Sequence, residues 1–67
     1  MEILEQIAEE MKKQNVTKVK VADELGVSYQ SVQKWFSGKG DPSMAHLIDM
    51  AWLLGYELRL GKEKQNG

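Results

Sequence analysis

Cysteine is absent from the 67 residues, Pro42 is the one proline, and Phe, Tyr and Trp together number five. Without cysteine no disulfide can cross-link the fold, and a thiolate zinc site is excluded. A chain this short buries only about 60% of the surface its unfolded form exposes, so its core alone is marginal. Association with a second subunit is the reinforcement left. No apolar run approaches the roughly 18 residues of a membrane span. Residues 1–10 hold four glutamates and no basic residue, which argues against a secretory or mitochondrial leader. These absences lead us to expect a cytoplasmic protein of one domain, residues 1–60, with a tail over 61–67.

The net charge of −1 and pI of about 5.7 argue at face value against a polyanion binder, because basic nucleic-acid domains usually lie above about pI 9. The distribution reverses that impression. Glu2, Glu5, Glu9 and Glu10 crowd the start, whereas between residues 12 and 39 six lysines meet only Asp23 and Glu24. Positive charge concentrated in the middle of the chain can form a cationic stripe on one face of a slightly acidic protein.

Ile3, Leu4, Ile7, Ala8 and Met11 recur at three- and four-residue spacing among Glu and Lys, predicting an amphipathic first helix that ends near Asn15. Thr17 can cap a second helix with Val21, Ala22 and Leu25 inward and Gly26 as its left-handed stop. Ser28 caps a third, Tyr29 to Phe36, with Val32, Trp35 and Phe36 inward and Gly38 as terminator. Residues 37–42 are turn chemistry, and Ser43 caps a fourth helix to Leu54 whose core face is Leu47, Ile48, Ala51 and Leu54. The alternation Tyr56-Glu57-Leu58-Arg59-Leu60 has the period of a half-buried strand, with a short fifth helix as the alternative. A strand without a partner in its own chain pairs with its copy across a two-fold axis, which makes Tyr56, Leu58 and Leu60 candidate dimer contacts, or equally accepts the strand of a partner protein such as a toxin or co-regulator.

Residues 18–35 carry the function. Two short helices meeting at a steep angle need a small residue at the crossing and a positive φ at the turn, which Ala22 and Gly26 supply. Val21, Leu25, Val27, Val32 and Trp35 then close a small core, and the mechanics are those of a helix-turn-helix. The opposite face of the third helix exposes Tyr29, Gln30, Gln33 and Lys34, with Ser28 at its start. A polar helix of this width fits the major groove of B-DNA.

Val-Ala-Asp-Glu-Leu-Gly-Val-Ser at 21–28, Ser-Val-Gln-Lys-Trp at 31–35, Ser-Gly-Lys at 37–39 and Pro-Ser at 42–43 resemble the Xre/Cro-type phage-repressor helix-turn-helix family. The resemblance spans about residues 3–55; each piece alone is a weak signal and the combination is strong. It implies an all-α, lambda-repressor-like domain of four or five helices that binds operator DNA, generally as a dimer, through the third helix. It further implies base-edge contacts from Ser28, Tyr29, Gln30 and Lys34, the glutamine suited to adenine and the lysine to guanine, with Gln33 on the same face. Thr17 and Lys18 match the phosphate-clamping position, where Ser31 and Lys39 join them.

The chain departs from the family pattern in four places. Lys18 replaces a typical glutamine, Phe36 a commonly charged residue and Trp52 a commonly polar one, and the 56–60 alternation stands where a fifth helix is usual. Two large apolar groups near the surface suggest an interface, Trp52 foremost. The C-terminal alternation resembles the dimerising strand of some antitoxin members of the family.

Simpler roles account for the remaining residues. His46, without a second histidine or any cysteine, is expected as a surface helix residue and no metal ligand. Gly38-Lys39-Gly40 lacks the glycine loop and preceding strand of a nucleotide site. Glu9 and Glu10, adjacent on a helix, point apart and make a poor acid/base pair. No cofactor and no catalysis are therefore implied. The expectation is a bacterial or phage-encoded regulator of double-stranded DNA, a repressor acting as a homodimer on a palindromic operator. The alternatives are an antitoxin that also holds a toxin or co-regulator, and a helix-turn-helix module that bridges proteins.

Overall fold

A computed structural model describes residues 2–58. Four helices follow one another there: α1 (Glu2–Gln14), α2 (Lys18–Leu25), α3 (Tyr29–Ser37) and α4 (Met44–Leu53). The described residues are all-α, as the patterning predicts. Leu4, Ile7 and Met11 of α1 are buried, and Ile3 packs half-buried beside them. Ala8 is exposed, because it stands about 60° round the helix from Met11, at the rim of the stripe. α2 packs on α3 and α4, and α1 on α3, so Val21 and Val32 end up among the most enclosed side chains.

The helix starts are capped as their sequences require. Thr17, Ser28 and Ser43 are extended, and their hydroxyls accept from the amides of Lys20, Ser31 and His46. His46 returns the contact: its Nδ1 accepts from the Ser43 amide at 3.4 Å, a capping box with imidazole in the usual carboxylate's place. The ring also lies 4.8 Å, centroid to centroid, from Trp35. His46 is thus half-buried structure rather than the plain surface residue that its lack of companions predicts.

Each helix ends in the same six-residue closure. Val16 donates to Met11 O at 2.8 Å, Val27 to Ala22 O at 3.0 Å, Lys39 to Lys34 O at 2.9 Å and Tyr56 to Ala51 O at 2.8 Å. The first closure turns on Asn15 at φ 58°, a left-handed residue that the sequence pattern does not single out. In the turn between α2 and α3, Gly26 adopts φ 70°. A Cβ there would meet nothing within 4 Å, so the Gly26→Ala cost is purely conformational, about 1–2 kcal/mol. A urea midpoint lower by that amount, with an unchanged slope, is the expected result.

α4 is apolar almost all round, so its spacing decides little about which face is buried. Leu47, Met50, Ala51 and Leu54 are buried, with Met50 at 0% exposure. Ile48, expected in the core, is only half-buried: the inward face is rotated by about 40° from the face predicted, toward Met50. Gln14 ties the two ends of the domain together, its Nε2 donating to Leu54 O at 2.9 Å.

Beyond α4 the expected strand is not formed among the described residues, and neither is a fifth helix. The Tyr56 amide is consumed in closing α4, and no second strand lies alongside. Leu58 instead packs half-buried against the core cluster. Arg59 and Leu60, the rest of that alternation, lie outside the described residues.

Candidate nucleic-acid interface

The crossing of α2 and α3 is built around small and branched residues. Ala22 is buried where the helices meet, and Leu25 and Val27 pack half-buried around it. α3 is anchored along one side by Val32, at 0% exposure, and by Trp35, whose ring is backed by His46. Gln30 and Lys34 consequently point away from the core, with Gln33 and Tyr29 on the adjoining side, all four exposed. The structure therefore brings the predicted base-reading set onto one convex helix face.

Ser28 is more committed than its neighbours. Its Oγ accepts from the Ser31 amide at 3.1 Å and donates to Ser31 Oγ at 3.0 Å. Both contacts hold the start of α3.

At the start of α2, Thr17 is exposed and Lys18 reaches across to α3, its Nζ donating to Gln33 Oε1 at 3.0 Å. Lys18 also stands 5.8 Å from the centroid of the Phe36 ring. Phe36 is half-buried against the core, so part of its apolar bulk is covered within the chain. Lys12 and Lys18 line one shallow groove with Thr17 and Phe36. Sequence spacing does not place Lys12 in this group, because five residues and a turn lie between it and Lys18; the packing of α1 on α3 brings it to the groove that Lys18 and Phe36 share.

The remaining cations divide in two. Lys20 and Lys13 lie 3.4 and 4.0 Å from Glu24 and Glu10 on their own helices. Lys12, Lys18, Lys34 and Lys39 form no salt bridge among the described residues, leaving their charge available to an outside anion. Lys39 is exposed just past the end of α3.

Elsewhere Trp52 is 71% exposed, next to Glu24 and Leu25 of α2, and Tyr56 is 53% exposed, next to Ile3 and Gln6 of α1. These are two of the expected dimer contacts, and both are free in the single chain. Among the described residues no three His, Asp or Glu side chains gather as metal ligands, and no helix is long and apolar enough to cross a membrane.

Two short helices joined by a left-handed glycine, the second anchored by one face and presenting polar side chains on the other, define a helix-turn-helix. Residues 7–60 match the helix-turn-helix family, and the chain belongs to it. Over 51 residues it is 41% identical to the cryptic phage CTXphi transcriptional repressor RstR of Vibrio cholerae serotype O1. That alignment covers 76% of this chain and 46% of the relative, so the chain spans about half the length of the curated relative it matches. No solved structure matches it significantly.

Proposed function

We propose that this protein is a sequence-specific repressor that binds a palindromic operator as a homodimer. The observation that carries this reading is the exposed set Tyr29, Gln30, Gln33 and Lys34 on a helix whose other face is locked into the core. Gln30 pairs with adenine, Lys34 donates to guanine O6 and N7, and Tyr29 meets a thymine methyl or a phosphate. Lys12, Thr17, Lys18, Ser31 and Lys39 hold phosphates on either side, fixing the register of α3 in the groove. Similarity to a phage repressor supports repression as the sign of regulation.

Two recognition helices about 34 Å apart would enter successive major grooves. Few phosphate contacts per subunit make one subunit weak and salt-sensitive, so dimerisation supplies the affinity. Trp52 and Tyr56 are the contacts we assign to the dimer. Trp52→Gln removes an exposed ring and leaves the core intact, so the expected result is an unchanged melting temperature and a dimer dissociation constant raised roughly 30-fold or more. Sedimentation equilibrium measures it, and identical association of both proteins would remove Trp52 from the interface.

The test of the function is selection of bound duplexes from a random library at about 0.1 M salt. An inverted repeat with half-site centres about ten base pairs apart is expected. A folded protein that enriches no sequence would overturn the proposal.

A further inference from the structure

Lys18 and Gln33 lie on different helices, yet the ammonium donates to the amide oxygen at 3.0 Å. The contact allows only one orientation of the amide. An ammonium has three N–H donors and no acceptor, so it must take Oε1, which leaves Nε2 with its two hydrogens for the outside. The ammonium is held from a second direction by Phe36, 5.8 Å from its ring centroid, within the range of a cation–π interaction. Phe36 follows Gln33 by three residues on α3 and is itself packed against the core. That arrangement gives a purpose to two of the residues at which the chain departs from its family's pattern, Lys18 and Phe36.

An unoccupied glutamine amide offers one acceptor and one donor edge, which matches adenine N6 and N7. With a cation against Oε1 and one of its two lone pairs filled, the amide turns Nε2 outward as its leading group, and an incoming amino donor meets the ammonium's positive charge at the oxygen. Guanine presents two acceptors, N7 and O6, in the major groove, whereas adenine and cytosine each place an amino donor there. Resting on the proposed function, we propose that Lys18 is a specificity-determining positioning residue, which orients Gln33 to present its Nε2 donors to the groove and so favours guanine over adenine. The ammonium keeps two further donors for a phosphate, so one side chain would couple backbone clamping to base choice.

The experiment is duplex selection with the wild type, Gln33→Ala and Lys18→Met, at one salt concentration, with a thermal melt of each protein. Methionine keeps an unbranched stem over the Phe36 ring and removes the ammonium. Gln33→Ala identifies the base pair concerned, as the position whose guanine preference it erases. At that position Lys18→Met is expected to lower the ratio of guanine to adenine on the order of tenfold. All other positions should keep their preferences, while overall affinity falls uniformly through the lost phosphate contact.

A Lys18→Met protein that binds every sequence more weakly by one common factor, with guanine still preferred, would overturn the inference and leave the proposed function standing. So would a Gln33→Ala protein with no altered base preference. A wild type that enriches nothing would overturn the proposed function and this inference together, so the two failures are distinguishable.

Discussion

Replacing Gln30 and Lys34 together by alanine is expected to lower affinity for the selected operator by about a thousandfold or more, with little change in melting temperature. Both side chains are exposed on α3, and neither makes a side-chain hydrogen bond or salt bridge among the described residues. Alanine is a better helix former than glutamine or lysine, so α3 itself is not weakened. A dimer presents each residue twice, and a good base contact discriminates by about 1–3 kcal/mol. Four lost contacts at the lower end of that range already amount to roughly a thousandfold. Titration of labelled operator at fixed salt, beside a thermal melt, measures both quantities. Binding within a few-fold of wild type would move the recognition surface off α3.

The second large effect is on stability. Met50→Ala truncates a side chain at 0% exposure in the middle of α4, and such core truncations cost about 2–5 kcal/mol. A domain of this size has only about 3–10 kcal/mol in total. A drop of about 10–30 °C in melting temperature is therefore expected, at roughly 4–8 °C per kcal/mol. Ile48→Ala, on the half-buried flank of the same helix, should cost less than half as much. The opposite ranking would mean that α4 buries the Ile48 face after all.

Most of the architecture is written in local signals. Three serine or threonine caps, the glycine stops at 26, 38 and 55, and the stripe of Leu4, Ile7 and Met11 each depend on a few neighbouring residues. Such features survive being read one window at a time. The recognition face is legible for the same reason: once Val32 and Trp35 are inside, helical geometry alone turns Gln30 and Lys34 outward.

What local pattern leaves open are the contacts between elements distant along the chain. α4 is apolar on most of its circumference, so its periodicity could not choose between Ile48 and Met50; packing against α2 made that choice. The alternation at 56–58 has a strand's period, yet the Tyr56 amide is spent in closing α4 and Leu58 falls back on the core. His46 lacks a metal ligand's companions, which says nothing of its stacking on Trp35 or its bond to the Ser43 amide. Likewise the composition shows that lysines gather in the middle of the chain, but only the crossing of helices puts Lys12 beside Lys18, and Lys18 on the oxygen of Gln33. Helices, caps, turns and the polar face of α3 follow from near-neighbour chemistry along the chain. The rotation of α4 and the pairing of Lys18 with Gln33 exist only where separate helices touch, because burial and hydrogen bonding across them depend on relative placement that no single segment encodes.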